Sequence, residues 1–245
     1  MVQIKKQTIS NTFGKHSMSY DRHSALQKKV ADHLIMSCPD SDDVARILEI
    51  GCGTGHFTRN LQKKYPHAEL VVTDISADML AACKAKSKRT NAIAYHVMDG
   101  ENINATMGHF DLIASSMTVQ WFRDPKNSIE AWADRLTADG YIALSTLGEN
   151  YFPEWRFSTQ KAGVRSQLIP APALPQPMNV RQTSMSENYG NAKGFLEHLI
   201  NTGASTSIQN GKSMSVGDLK SVMRAYDENY RGEITWNLAI AKWQP

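Results

Sequence analysis

Apolar residues recur along this chain in two alternating rhythms. Runs of strand length, Arg46 to Ile50, Leu70 to Thr73, Ala92 to Met98, Asp111 to Ser115 and Tyr141 to Thr146, are separated by stretches with helical spacing. Such alternation is the pattern of a parallel sheet covered by helices on both faces. Helical spacing also precedes the first run, and Ser76 is placed to cap a helix through Asp78, Met79 and Leu80 towards Lys84. The basic run from Lys84 to Arg89 then opposes the carbonyl pole of that helix and reads as a solvated helix end.

After Leu147 the rhythm breaks. Tyr151 to Phe157 is aromatic, and Ile169 to Pro177 carries four prolines, so the segment reads as an excursion rather than another strand-helix unit. Two readings stay open for it: a surface loop that packs two aromatics, or a lid or substrate wall. Helices are expected again near Lys193 to Asn201 and Val216 to Tyr230, followed by a strand from Ile234 to Lys242. The 245 residues are enough for one sizeable core, and nothing forces a division into independent domains.

Charge and cysteine content narrow the function classes. A formal net charge of +3, with lysines and arginines scattered along the chain, is too small to imply nucleic acid. Cys38, Cys52 and Cys83 show neither metal-ligand spacing nor an even disulfide framework, which fits a reducing cytoplasm without structural zinc. The leading MVQIKKQTIS has lysines but no apolar stretch behind them, and no segment approaches the roughly eighteen apolar residues of a membrane span. A soluble, untargeted protein is expected.

The chemistry concentrates in Ile47-Leu48-Glu49-Ile50-Gly51-Cys52-Gly53-Thr54-Gly55-His56-Phe57-Thr58. Glycine has no Cβ and tolerates positive φ, so an apolar strand ending in glycines lets backbone approach a ligand closely. A dinucleotide fingerprint requires its third glycine where this chain has His56. The spacing of Gly51, Gly53 and Gly55 instead suits a nucleoside that bears an amino acid and has no phosphate to neutralise, and S-adenosylmethionine is such a ligand. Asp74 ends the second strand, where a carboxylate can accept from both hydroxyls of a ribose. Asp99, before Gly100 at the end of the third strand, is placed to accept from an adenine amino group; the alternative is an Asp-Gly turn. Glu49 either orients the loop or holds the sulfonium end of the cofactor.

Over residues 44–146 these features resemble the class I S-adenosylmethionine-dependent methyltransferases. A closer resemblance covers nearly the whole chain. Ile9 through Phe13-Gly14-Lys15 to Tyr20-Asp21 and Ala25-Leu26-Gln27, then Asp111-Leu112-Ile113 leading to Thr118-Val119-Gln120-Trp121, are similar to motifs of the malonyl-acyl-carrier-protein O-methyltransferases of biotin synthesis. Ser145-Thr146-Leu147, Pro153-Glu154, Leu199 to Ala204 and Ile234-Thr235-Trp236 follow in the family's order. Two departures stand out: Ser116 replaces a frequent asparagine, and the segment between Phe157 and Tyr189 looks shorter and richer in proline than the family's lid.

The resemblance implies a Rossmann-like, doubly wound α/β sheet, mostly parallel with an antiparallel last strand. It adds N-terminal helices over 1–43, a cofactor-binding core over 44–147, a lid insertion after the fifth strand over 148–191, and C-terminal helices with a strand over 192–245. It implies S-adenosylmethionine as methyl donor, contacted by Tyr20, Glu49, Gly51, Gly53, Gly55, Asp74, Ile75, Met79, Asp99, Gly100, Ser115 and Ser116. The acceptor would be the free carboxylate of a malonyl group on acyl carrier protein, with Tyr20, Gln120 and Trp121 positioning and desolvating it. A malonyl carboxylate ionises near pH 4, as ordinary side-chain acids do at about that value, so no general base is needed. For Trp121 and Gln120, packing of the following helix start and satisfaction of loop backbone stay open beside the pocket role, as packing does for Tyr20.

An acidic carrier protein would meet lysines or arginines near the pocket mouth, with Lys15, Arg22, Arg156, Lys161 and Arg165 as candidates. A basic residue gripping the malonyl carboxylate is also expected on charge grounds. The competing functions are another small-molecule methyltransferase, acting on a free carboxylic acid or a quinone precursor, and a non-catalytic S-adenosylmethionine-binding protein.

Overall fold

A computed structural model of the chain describes residues 6–17, 19–40, 42, 44–87, 92–204 and 214–245. Arg89, at the end of the basic run, lies outside the described residues. Five strands in parallel register form most of the sheet: β1 (Arg46–Ile50), β2 (Glu69–Asp74), β3 (Ile93–Val97), β4 (Phe110–Ser116) and β5 (Leu136–Leu147). β6 (Asn179–Asn188) and β7 (Glu233–Trp243) complete it in the spatial order β3-β2-β1-β4-β5-β7-β6, with β7 antiparallel to both neighbours. The order reverses direction at β1 and β4, and at such a switch point the carboxyl ends of the strands leave a crevice.

Helices cover both faces. α1 (Lys6–His16), α2 (Tyr20–His23) and α3 (Ala25–Ile35) precede the sheet, and α4 (His56–Lys64), α5 (Ala77–Lys86) and α6 (Pro125–Ala133) link the parallel strands. Local sequence starts the last two. Ser76 caps α5 by accepting from Met79 N at 3.4 Å, and Asp124 caps α6 by accepting from Asn127 N at 3.1 Å, with Pro125 in the first turn where no donor is needed. On β1, Ile47, Leu48 and Ile50 are buried whichever way they point, as expected of a strand covered on both sides.

The stretch after Leu147 differs from its reading as an excursion. Pro153–Lys161 is a helix, α7, and Tyr151, Phe152 and Trp155 are enclosed in an aromatic core with Phe195, Tyr226 and Trp236. Phe195 lies on α8 (Ala192–Asn201) and Tyr226 on α9 (Val216–Tyr230). The segment then ends as the edge strand β6, paired with β7 over ten residues. β6 escapes detection because NVRQTSMSEN has almost no apolar alternation: one face is solvated, and the strand is held by main-chain pairing rather than by a buried stripe. Residues 162–178 between them form neither helix nor strand, and Tyr151 Oη donates to Ile169 O at 2.6 Å, tying that segment to the core.

Candidate functional site

A cleft lined by both polar and apolar groups lies over the carboxyl ends of β1, β2 and β4 and beneath α1 to α3, the kind of place where small molecules bind an open α/β sheet. Its floor is the glycine loop. Gly51, Gly53 and Gly55 all have positive φ, at 73°, 53° and 89°, so each needs the freedom that glycine alone has without strain. A Cβ on Gly51 would strike Thr118, whereas one on Gly53 would meet no atom within 4 Å: it would project into the open cleft.

Asp74 holds the loop to the strand. Its carboxylate accepts from Gly53 N at 2.9 Å and from Ser76 N at 2.8 Å, which leaves lone pairs facing the cleft. Burial raises its pKa, and the backbone donors of Ser76, Gly53 and Ile75 work against that rise. Asp99 lines the same cleft and is gripped by Lys6 of α1, whose ammonium also reaches Glu101 at 2.9 Å. Burial pushes the Asp99 carboxyl up, but Lys6, the Glu101 backbone and Asn102 outweigh it and hold the pKa low. α2 is fastened over the loop by Asp21, which accepts from Thr54 Oγ1 and, at 2.7 Å, from Lys86 Nζ.

The cleft continues into a second, smaller chamber. Phe13, Tyr20, Gln27, Met117 and Trp121 line both, and Phe152, Leu199 and Trp236 close the inner one. Trp121 meets Phe13 edge to face at 5.5 Å. Among the described residues lining the inner chamber there is no carboxylate, imidazole, ammonium or guanidinium. Tyr20 holds its proton there, because burial and the charges of Asp74 and Asp21 push its pKa up.

Residues 47–140 match the family model described as a methyltransferase domain. The chain is 38% identical over 151 residues to a malonyl-acyl-carrier-protein O-methyltransferase of Magnetococcus marinus, an alignment covering 60% of this chain and 55% of that protein. A protein of the same name from Bacillus anthracis is 26% identical over 94% of this chain and 92% of its own length. The biotin biosynthesis bifunctional protein BioCD of Bordetella avium is 29% identical over 98% of this chain and 53% of its own length. Among solved structures, the YcgJ protein of Bacillus subtilis shares the fold at a TM-score of 0.58 and 12% identity, over 87% of this chain and 97% of that one. This chain is a class I S-adenosylmethionine-dependent methyltransferase.

Most of the site residues expected of this methyltransferase come together in the cleft. Tyr20, Gly51, Gly53, Asp74, Ile75, Met79, Asp99, Gly100, Ser116 and Trp121 all line it. Three expected contacts do not, among the described residues. Glu49 is buried away from the cleft, where Thr58 Oγ1 of α4 donates to it at 2.6 Å and burial with nearby Cys83 pushes its pKa well up, an arrangement that fits orienting the loop, the first of its two expected roles. Gly55 starts α4 and packs on Cys83, so its missing Cβ serves close helix packing. Ser115 is buried and ties β4 to β1 by donating to Ile50 O at 2.9 Å. The pleat decides the last case: Ser116, one residue on, faces the cleft, and Ser115 faces away.

Gln120 lines the inner chamber alone. Its amide is spent on Met117 O at 2.8 Å and Thr146 Oγ1 at 3.1 Å, so it fixes the chamber wall. Arg156, a candidate for the carrier protein, lies over the Tyr151 ring and donates to Tyr151 O at 2.9 Å, which makes it a packing residue. Sequence reasoning missed the α1 contribution, Lys6, Ile9 and Phe13 on the cleft wall. Their register against residues some ninety positions later carries no local signal. No helix among the described residues is long and apolar enough to cross a membrane, and none of their His, Cys, Asp and Glu side chains form a group that could hold a metal ion.

Proposed function

We propose that this enzyme transfers the methyl group of S-adenosylmethionine to the free carboxylate of a malonyl thioester on acyl carrier protein, supplying the methyl ester for biotin synthesis. The carrying observation is the inner chamber, open to the cofactor cleft at Tyr20 and Trp121 and lined, among the described residues, without an acid-base pair. That lining suits an acceptor that is already ionised. The relatives' names point the same way.

The reaction is a substitution at carbon. A carboxylate oxygen attacks the methyl carbon as the carbon–sulfur bond breaks, and a sulfonium and a carboxylate become a neutral thioether and a neutral ester. Because opposite charges cancel along the path, water that stabilises them separately slows the step, and an apolar chamber that excludes water favours it. Alignment of two partners can supply as much as roughly 7 to 11 kcal/mol, so a site without a proton-transfer pair is not thereby an idle one. The cofactor would lie along the glycine loop with its ribose diol on Asp74 and its adenine near Asp99 and Gly100. Ser116 and Tyr20 stand at the amino-acid end, and Trp121 with Phe13 separates cofactor from acceptor. Lys15 and Arg22 remain candidates for the carrier's acidic surface.

Incubation with S-adenosylmethionine and malonyl-acyl carrier protein should add one methyl group to the carrier, read by intact mass. Malonyl-coenzyme A and free dicarboxylic acids at equal concentration are the comparison. An unmodified carrier alongside a methylated free acid would overturn the carrier-protein reading and leave a small-molecule methyltransferase.

A further inference from the structure

The residues shared by the cleft and the inner chamber mark where methyl donor and acceptor meet, and of the five only Tyr20, Gln27 and, through its indole N–H, Trp121 carry side-chain hydrogen-bonding groups. Other polar groups of the inner chamber are committed elsewhere: Gln120 to Met117 and Thr146, and the Thr202 hydroxyl to His198 O at 2.8 Å. Gln27 is different. Its Oε1 is shut off from solvent and has no hydrogen-bond partner. An enclosed polar atom without a partner costs about 1–3 kcal/mol, a cost retained where a ligand completes the site. That oxygen can only accept, but half a turn about the terminal bond exchanges Oε1 and Nε2 without changing the side chain's shape and puts an NH2 donor at the unpartnered position, where an acceptor such as a carboxylate oxygen would complete it.

We propose that Gln27 orients the acceptor, its side-chain amide donating to the oxygen of the malonyl carboxylate that does not attack. This rests on the malonyl reading above. It replaces the expected basic residue with a neutral donor, and the chemistry explains why. The acceptor's charge disappears as the ester forms, so a lysine or arginine would stabilise the bound carboxylate more than the transition state and slow the step. A neutral amide fixes direction with a smaller loss. The counter-charge is the sulfonium itself. Tyr20, held protonated, is a second neutral donor at the same junction.

The test uses Gln27→Met, which keeps length and volume without hydrogen bonding, and Gln27→Glu, which keeps shape and adds a charge. With malonyl-acyl carrier protein, the Met variant should lose roughly tenfold or more in kcat, a hydrogen bond's worth of orientation, while S-adenosylmethionine affinity stays near wild type and the thermal midpoint of the unliganded protein holds or rises, since the unpartnered oxygen is gone. The Glu variant should raise KM for the carrier substrate as well, since two carboxylates would face each other. A purely structural role would lower the midpoint of both variants without separating kcat from KM. Wild-type kinetics in the Met variant overturn the proposal, and so does a loss of cofactor affinity, which would assign the amide to the cofactor. If the wild type does not methylate the malonyl carrier, the malonyl reading fails and Gln27's role falls with it; wild-type turnover with unaffected variants removes the Gln27 role alone.

Discussion

Replacing Asp74 by asparagine separates the charge at the cofactor site from its shape. In the wild type one carboxylate oxygen accepts from Gly53 N at 2.9 Å and the other from Ser76 N at 2.8 Å, and the carboxylate keeps acceptor capacity for the ribose diol. Asparagine keeps one oxygen and turns the other position into an NH2 group, which faces a backbone donor and cannot accept from a hydroxyl. At least one hydrogen bond to a charged acceptor is lost from the bound cofactor, about 1.5–3 kcal/mol, or roughly ten- to a hundredfold in Kd. The unliganded fold should change little, because burial already penalises this carboxylate, and removing the charge offsets the lost loop bond. Calorimetric titration with S-adenosylmethionine, beside thermal unfolding of the unliganded variant, reads both quantities. The pH dependence adds a check of sign: the folded pKa is raised, and the ionised form binds the diol. Wild-type affinity should therefore be complete above that pKa and fall as pH drops through it, while the asparagine variant stays flat. Affinity within twofold of wild type would refute the assignment of Asp74 to the diol.

Gly53→Val should abolish measurable cofactor binding, because its side chain enters the open cleft from a backbone at φ 53°; the strain costs the unliganded fold about 1–2 kcal/mol, and retained calorimetric binding would count against the loop's placement. His198 is held neutral by burial and the nearby His23, which bring its pKa down to about 4 from an ordinary value of about 6.5. The unfolded chain takes up the proton first, so stability is complete above the unfolded pKa and falls by about 2 kcal/mol by pH 5. Chemical denaturation at pH 7.5 and pH 5 checks this, and a His198→Phe variant with the same pH slope would show that other groups are responsible. Trp155→Ala, in the centre of the aromatic core, should cost about 3–5 kcal/mol in unfolding free energy, measured by denaturant titration; a loss under 1 kcal/mol would place Trp155 outside the cooperative core.

The central parallel strands β1, β2 and β4 were legible because they are almost wholly buried and their apolar runs survive any detail of packing, while β3, at the sheet edge, is half-exposed. β1 has the limits read from sequence, and β2 to β4 differ by a residue or so at their ends. β5 begins earlier, at Leu136, where an irregular register against Phe110 and Leu112 breaks the apolar run. β6 was not legible, since its partner β7 lies some fifty residues later and its own side chains are mostly polar and solvated. The aromatic cluster after Leu147 was visible as composition. That it packs as a core, with Phe152 also closing the inner chamber, depends on α8 and α9 folding back against it.

By itself the sequence determined the cofactor class. Gly51, Gly53 and Asp74 act through backbone freedom and strand ends, properties that belong to single positions and their spacing. Only the tertiary structure decided which neighbours line the cleft: one step of the pleat turns Ser115 inward and Ser116 to the cleft, and Cys83 claims the space beside Gly55. It also brought α1 and α3 over the strand ends, so that Lys6 meets Asp99 and Gln27 stands where the two chambers join. Such contacts join residues far apart in the chain through packing, and packing leaves no periodic trace in either partner alone.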